Sequence, residues 1–345
     1  MPELRIAVLG LTHDHVWGNV RELLETPGAE LVGAADPHEE LRRRFETEFD
    51  RPTEPAYHTL LDRTRPDAVF LFSDNAACVE LAEMAAARGL HILVEKPMAH
   101  TLDGADRMLQ AARRAGVRLM VNWPFAWWPA LQHALRLAAA GDIGPLWQVK
   151  YRAAHAGPDR LGCSPYFCQW LFDAELNGAG AFIDYCCYGA ALARVLLGVP
   201  SRVYGSAARL RREDILVDDN GLLVMHYPQA VALSEGTWLQ EGSLTAYTTV
   251  IYGTQGTLLV EPRKSGRLLH ATAQEPHGVP LEVPQPPPQW QSASAHFVHT
   301  IASGEPLMPL CDPRVGRDTQ EILEAGLISA QRGREVSLPL SILGG

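Results

Sequence analysis

The chain opens with a short apolar run, Leu4 to Leu9, ending at Gly10, and helical apolar spacing follows at Val20, Leu23 and Leu24. A second apolar run, Leu31 to Ala35, stops at Asp36. The alternation then repeats. A helix over His38 to Phe49 leads to a strand Ala68 to Phe72, a helix Cys78 to Arg88, a strand His91 to Val94, a helix Leu102 to Ala115 and a strand Arg118 to Val121. Strands apolar at nearly every position are buried on both faces, and helices between them are what a doubly wound parallel sheet requires. The pattern predicts an α/β chain whose residues 1–122 form a Rossmann domain.

After Asn122 the periodicity changes. Pro129 to Ala140 reads as a helix, Gly141-Asp142-Ile143-Gly144 as a turn, and Trp147 to Ala153 as the first strand of a new sheet. Val203 to Val260 is mostly strand-like, with Leu222 to Tyr227 and Ala230 to Leu239 meeting at a Pro228-Gln229 turn. Pro284 to Pro288 is an extended loop, and Ala293 to Ala302 and Arg314 to Arg332 return to helical spacing. Residues 123–345 are therefore expected to form a second α/β domain on a large, mostly antiparallel open sheet, its last helices able to pack back on the first domain. An open sheet leaves a face to be covered, so a homodimer or homotetramer is expected.

Composition narrows the class without choosing the chemistry. With 47% hydrophobic and 20% charged residues the chain can bury ordinary cores. A net charge of −10 with no basic cluster disfavours nucleic acid. No apolar run of membrane-spanning length and no export signal after Met1-Pro2-Glu3 are seen, and six scattered cysteines suit reduced thiols; a cytoplasmic protein with no membrane partner is expected.

A strand, a turn at Gly10 and a helix aim backbone N–H groups and a positive helix end at a pyrophosphate. The turn reads Gly10-Leu11-Thr12-His13-Asp14-His15, with Thr12 and His15 where a dinucleotide fingerprint has its second and third glycines. His13 and His15 form an H-x-H pair, a metal-binding pattern only if adjacent loops add carboxylates or further histidines. Hydrogen bonding to phosphate or ribose is the preferred reading, and no metal is expected. Asp36, at the end of the second strand, can accept both ribose hydroxyls and would repel a 2′-phosphate, favouring NAD over NADP. Arg42, Arg43 and Arg44 on the next helix are read as a solvated face.

His91 to Pro97 reads HILVEKP, and Phe70-Leu71-Phe72-Ser73-Asp74-Asn75 precedes it by about twenty residues. With Ala34-Ala35-Asp36-Pro37, Asn122, Gly141 to Gly144, the GAGAFIDYCCY segment and Ile251 to Leu258, the chain resembles the Gfo/Idh/MocA oxidoreductase family over essentially its whole length. The resemblance implies an NAD-dependent dehydrogenase acting on a secondary hydroxyl of a sugar, polyol or related small molecule. It places Lys96 beside the nicotinamide and the reacting carbinol, and Ser73, Asn75, Glu95 and Asn122 along the dinucleotide cleft. In the family's D-x-x-x-H motif, Asp184 takes the Asp position and Tyr188 the His position, as in glucose-fructose oxidoreductase.

On a helix Asp184 and Tyr188 stand one turn apart on one face. Histidine titrates near pH 6.5 and tyrosine near pH 10, so Tyr188 needs its pKa lowered to act as the base, and Lys96 is expected to lower it. His155, Arg160, Gln169 and Trp170 are further substrate-pocket candidates, and Trp123, Trp127 and Trp128 offer faces to a sugar or to the core. Two other readings stay open: an NAD-using lyase, epimerase or glycosidase with transient oxidation, and a non-catalytic dinucleotide-sensing regulator.

Overall fold

A computed structural model describes residues 3–340. The first part runs β1 (Leu4–Leu9), α1 (His15–Leu24), β2 (Ala29–Ala35), α2 (Glu39–Phe49), β3 (Thr53–Glu54), α3 (Tyr57–Thr64), β4 (Ala68–Leu71), α4 (Ala77–Ala87), β5 (His91–Glu95), α5 (Leu102–Ala115) and β6 (Leu119–Asn122). The strands make one parallel sheet in the order β3-β2-β1-β4-β5-β6. Every residue of β4 is buried, as its unbroken apolar run required. The order reverses between β1 and β4, and the crevice beyond the carboxyl ends of strands at such a switch point is where doubly wound folds bind ligands.

The sequence pattern did not reveal β3 and α3. β3 has two residues, and α3 is eight residues long with no side-chain cap, both too short for a periodicity to emerge.

The second part holds α6 (Pro129–Ala140), β7 (Leu146–Ala154), α7 (Pro165–Leu171), α8 (Ala174–Asn177), α9 (Ala181–Leu197), β8 (Arg202–Ala208), β9 (Asn220–His226), β10 (Val231–Thr237), β11 (Thr248–Gly253), β12 (Thr257–Val260), β13 (Leu268–Ala271), β14 (Val279–Leu281), α10 (Ala293–Ser303), α11 (Pro313–Arg332) and β15 (Val336–Ser337). Nine strands form a sheet in the order β14-β13-β12-β11-β7-β10-β9-β8-β15. All neighbours are antiparallel except β7 and β10. The β9–β10 hairpin closes at Pro228-Gln229 with Tyr227 N donating to Ala230 O at 2.9 Å. Loops interrupt the strand-like stretch between β8 and β9 and between β10 and β11.

α9 and α11 cover one face of this sheet, and α11 also packs on α5 while α10 reaches α1. Within Ala174–Leu197, which holds α8 and α9, an 18-residue window is apolar enough to cross a bilayer by composition, but 78% of that window is buried inside the fold.

Candidate active site

β5 ends at Glu95, and Lys96 follows, at the carboxyl edge of the parallel sheet. α9 reaches this edge from the second domain. Its N-terminus is satisfied by Asp218, whose carboxylate accepts from Gly180 N at 2.7 Å and Phe182 N at 2.6 Å. Only glycine fits at position 180, because a Cβ there would lie 1.9 Å from Asp218 O. This docking fixes Asp184 and Tyr188 in the first turns of the helix.

Lys96 Nζ donates to Asp184 Oδ1 at 2.7 Å and to Asp184 O at 3.2 Å, with only 5% and 10% of the two side chains exposed. Trp238 Nε1 donates to the other oxygen, Oδ2, at 3.2 Å. The same ammonium stands 5.0 Å from the ring centre of Tyr188 and 5.8 Å from that of Tyr185. Tyr188 is packed between Tyr151, stacked at 5.5 Å, and Phe125, edge-on at 5.0 Å.

One expectation is overturned here. Burial pushes the Tyr188 hydroxyl well above its ordinary pKa, and the nearby Tyr151, Cys187, Asp184 and Glu95 add to the rise. Lys96 does not counter this, because its ammonium is bonded to Asp184 and faces the ring of Tyr188. Burial works against the charge of Lys96 too, but the Asp184 carboxylate outweighs it and raises the pKa of Lys96 above the ordinary lysine range.

On the cofactor side, Gly10 has φ +86°, and a Cβ there would lie 2.6 Å from Ser73 N, so the β1 and β4 turns touch only because position 10 is glycine. Asp36 is buried at the end of β2, accepting from Leu11 N at 2.6 Å and from His38 N at 2.7 Å. Arg42 is not simply solvated, for it donates to the carbonyls of Asp36 and Pro37, whereas Arg43 pairs with Glu39 and Arg44 lies over Trp17. Asn122 Nδ2 donates to Glu95 Oε1 at 2.6 Å, and Trp127 Nε1 donates to Asn122 Oδ1 at 2.9 Å. Asn75 Nδ2 donates to Asn177 Oδ1 at 2.8 Å, a contact between the domains. Among the described residues, the buried Thr12 Oγ1 has no hydrogen-bond partner. His13 lies among Phe72, Phe167 and Trp170, and burial holds its pKa well below the ordinary value.

Of the substrate-pocket candidates, His155 comes to the site. Its ring meets that of Tyr185 edge-on at 5.1 Å, its Nδ1 accepts from Gly157 N at 2.9 Å, and burial lowers its pKa to about 4. The others do not join it. Arg160 is exposed and pairs with Glu241 at 3.2 Å, Gln169 faces solvent on α7, and Trp170 packs on His13 with its Nε1 3.4 Å from Thr12 O. Trp123, Trp127 and Trp128 are core residues, Trp123 meeting Tyr188 edge-on at 5.8 Å. Tyr185, Trp238, Tyr151 and Asn177 were not singled out from the sequence, since nothing in their spacing says which loop returns to Asp184. A cleft of about 1200 Å³ between Leu4, Gly28, His91 and His299 lies at the opposite end of the parallel sheet from Lys96.

Two family profiles cover most of the chain. Residues 4–123 match the oxidoreductase family with an NAD-binding Rossmann fold, and residues 131–259 match the GFO/IDH/MocA C-terminal domain. The chain belongs to the Gfo/Idh/MocA oxidoreductase family. It is 28% identical to a D-xylose 1-dehydrogenase (NADP(+)) of Haloferax volcanii over 82% of this chain and 84% of that one. It is also 28% identical to a D-apiose dehydrogenase of Paraburkholderia graminis, over 94% and 86%. It shares its fold with an aldose-aldose oxidoreductase from Caulobacter crescentus, at a TM-score of 0.82, 22% identity and coverage of 97% and 100%. This Gfo/Idh/MocA protein is thus an NAD(P)-dependent oxidoreductase.

The cofactor turn fits such a dinucleotide: Gly10 leaves the backbone approachable, and Thr12 Oγ1 is a buried polar atom without a partner among the described residues. The start of α7 meets this region: Ser164 N, at its N-cap, donates to Asp14 Oδ2 in the turn at 2.6 Å, and Tyr166 Oη donates to Glu40 Oε2 on α2 at 2.6 Å. Hydrogen bonds therefore link the Gly10–His15 turn and α2 to the start of α7.

Proposed function

We propose that this protein transfers a hydride between NAD and a hydroxyl-bearing carbon of an aldose or a closely related sugar. The observation that carries this reading is the buried Lys96–Asp184 pair, formed between the end of β5 and α9 and bordered by Tyr188, Tyr185 and His155. Gly10, Thr12, Asp36, Ser73, Asn75, Glu95 and Asn122 would hold the dinucleotide, which supplies the hydride acceptor or donor at its nicotinamide.

Lys96 keeps its proton because Asp184 lies against it, so in reduction it gives that proton to the oxygen of the carbonyl being reduced. In oxidation Lys96 must lose the proton first and then takes the one leaving the hydroxyl. Tyr188 stays a neutral hydroxyl that orients the substrate, and His155 offers Nε2–H because its Nδ1 already accepts from Gly157. The named substrates of the two dehydrogenases, a xylose and an apiose, support a sugar, and the Asp36 carboxylate supports NAD over NADP.

The test is NADH formation at 340 nm with a panel of aldoses, wild type against Lys96→Met. Turnover with an aldose that Lys96→Met abolishes supports the reading, and an unchanged rate in the variant sinks it. A higher kcat/KM with NADP than with NAD would overturn the cofactor assignment.

The outward face of the second sheet supports a homo-oligomer: there Tyr204 is exposed, and the half-buried Leu222, Val224, Leu233, Val250 and Leu259 alternate with the core positions. Light scattering checks it: wild type is expected above monomer mass and Leu233→Arg at monomer mass. The six cysteines are all free thiols, which supports a reducing, cytoplasmic location.

A further inference from the structure

The turn that departs from the dinucleotide fingerprint carries two imidazoles, and the fold brings a carboxylate to them. His13, His15 and Glu95 offer ligand atoms that all lie within 4.8 Å of one another. His15 Nδ1 stands 3.2 Å from Glu95 Oε2, yet among the described residues this buried nitrogen makes no hydrogen bond. A tetrahedral zinc site with bonds of about 2.0–2.1 Å sets its ligand atoms roughly 3.3 Å apart, so the His15–Glu95 separation is already that of two ligands on one ion.

We propose that His13, His15 and Glu95 form a binding site for a divalent transition-metal ion of the zinc class, at the carboxyl edge of β1 and β5. Two imidazoles and one carboxylate are a donor set of borderline softness, which suits zinc or cobalt and not magnesium or calcium.

The surroundings are those of an oriented ligand set. Glu95 is held through its other oxygen by Asn122 Nδ2 at 2.6 Å, and Asn122 Nδ2 also lies 3.1 Å from Asn19 Oδ1. His13 is wedged between Phe167 and Trp170 with ring centres at 4.8 and 5.5 Å. The Nδ1 of His13 accepts only a long 3.2 Å hydrogen bond from His15 N, so ligation by this ring gives up at most that one bond. The nearby Lys96 ammonium would repel a cation, but Asp184 neutralises it at 2.7 Å. The side chain of His15 is 38% exposed, so water or a phosphate oxygen can reach an ion held there from solvent.

The experiment needs neither substrate nor dinucleotide, so its failure leaves the oxidoreductase reading standing. Protein stripped with chelator is titrated with Co²⁺, followed by its ligand-field absorption, and dialysed to equilibrium against Zn²⁺. Wild type is expected to take up one ion per chain, and His13→Ala and His15→Ala each to bind at least tenfold more weakly. His15→Gln, which keeps size and polarity at this half-exposed position, is to behave like His15→Ala with an unchanged melting temperature. A wild-type stoichiometry near zero overturns the site. So does undiminished binding in all three variants, which would place the ion elsewhere on the protein.

Discussion

Trp238 holds the Asp184 oxygen that Lys96 leaves free, its indole nitrogen 3.2 Å from Oδ2 while Lys96 Nζ is 2.7 Å from Oδ1. The carboxylate is therefore fixed from two sides, by a residue of each domain. Trp238→Phe keeps the ring and loses only the donor, so Asp184 can rotate. A fall in kcat of roughly tenfold, about 1.4 kcal/mol of barrier, is expected with dinucleotide affinity unchanged. Steady-state kinetics beside fluorescence titration with NADH separate the two.

Removing one partner of the buried pair strands the other. Lys96→Met is expected to lower stability by about 3–5 kcal/mol, and Lys96→Met with Asp184→Leu to recover most of it without recovering activity. Urea denaturation of wild type, Lys96→Met, Asp184→Leu and the double variant reads this directly, and additive losses in the double variant would contradict the pair.

Lys96 and Tyr188 both titrate above their ordinary values, so neither is deprotonated at neutral pH. Sugar oxidation should accelerate with rising pH up to at least pH 10, while carbonyl reduction stays level over that range because the proton donor remains loaded. In difference spectra near 295 nm no tyrosinate signal from Tyr188, taken as wild type minus Tyr188→Phe, is expected below pH 10. A bell-shaped oxidation profile centred near neutrality would refute this assignment.

Burial lowers His155 and His296 to about 4, against about 6.5 in the unfolded chain. Between these values the unfolded state binds more protons than the folded one, so stability falls as pH drops from 6.5 toward 4. The slope is up to about 1.4 kcal/mol per pH unit for each proton taken up on unfolding. Denaturation curves across this window check it, and stability that stays flat from pH 7 to 4 would show that both rings take up protons in the fold as readily as in the unfolded chain.

Gly10→Ala puts a methyl group 2.6 Å from the backbone nitrogen of Ser73 at a φ of +86°. A loss of about 1–3 kcal/mol for the strained backbone alone, and of dinucleotide binding, is expected. A thermal melt with and without NADH measures both.

Much of this was legible along the chain. The unbroken apolar strands spaced by helices required a parallel sheet, because only burial on both faces tolerates such runs. The resemblance to the Gfo/Idh/MocA family, carried by Glu95-Lys96-Pro97 and the Asp184-x-x-x-Tyr188 motif, marked the groups that meet at the site, and helix spacing put Asp184 and Tyr188 on one face. Those are local properties: a two- or 3.6-residue period and a motif on one element carry their own geometry.

What the sequence left undecided depends on residues far apart being brought to one point. Whether Lys96 would serve Tyr188 or Asp184 turned on a 2.7 Å contact between residues 88 positions apart, and the carboxylate took the charge. The same holds for Trp238 arriving at Asp184, for Trp170 turning to His13 rather than to substrate, and for Glu95 completing the His13–His15 pair. Charge, desolvation and ligand geometry act through distances of a few ångströms, and those distances are set by how α7, α9 and the strands pack, not by the order of residues within any one of them.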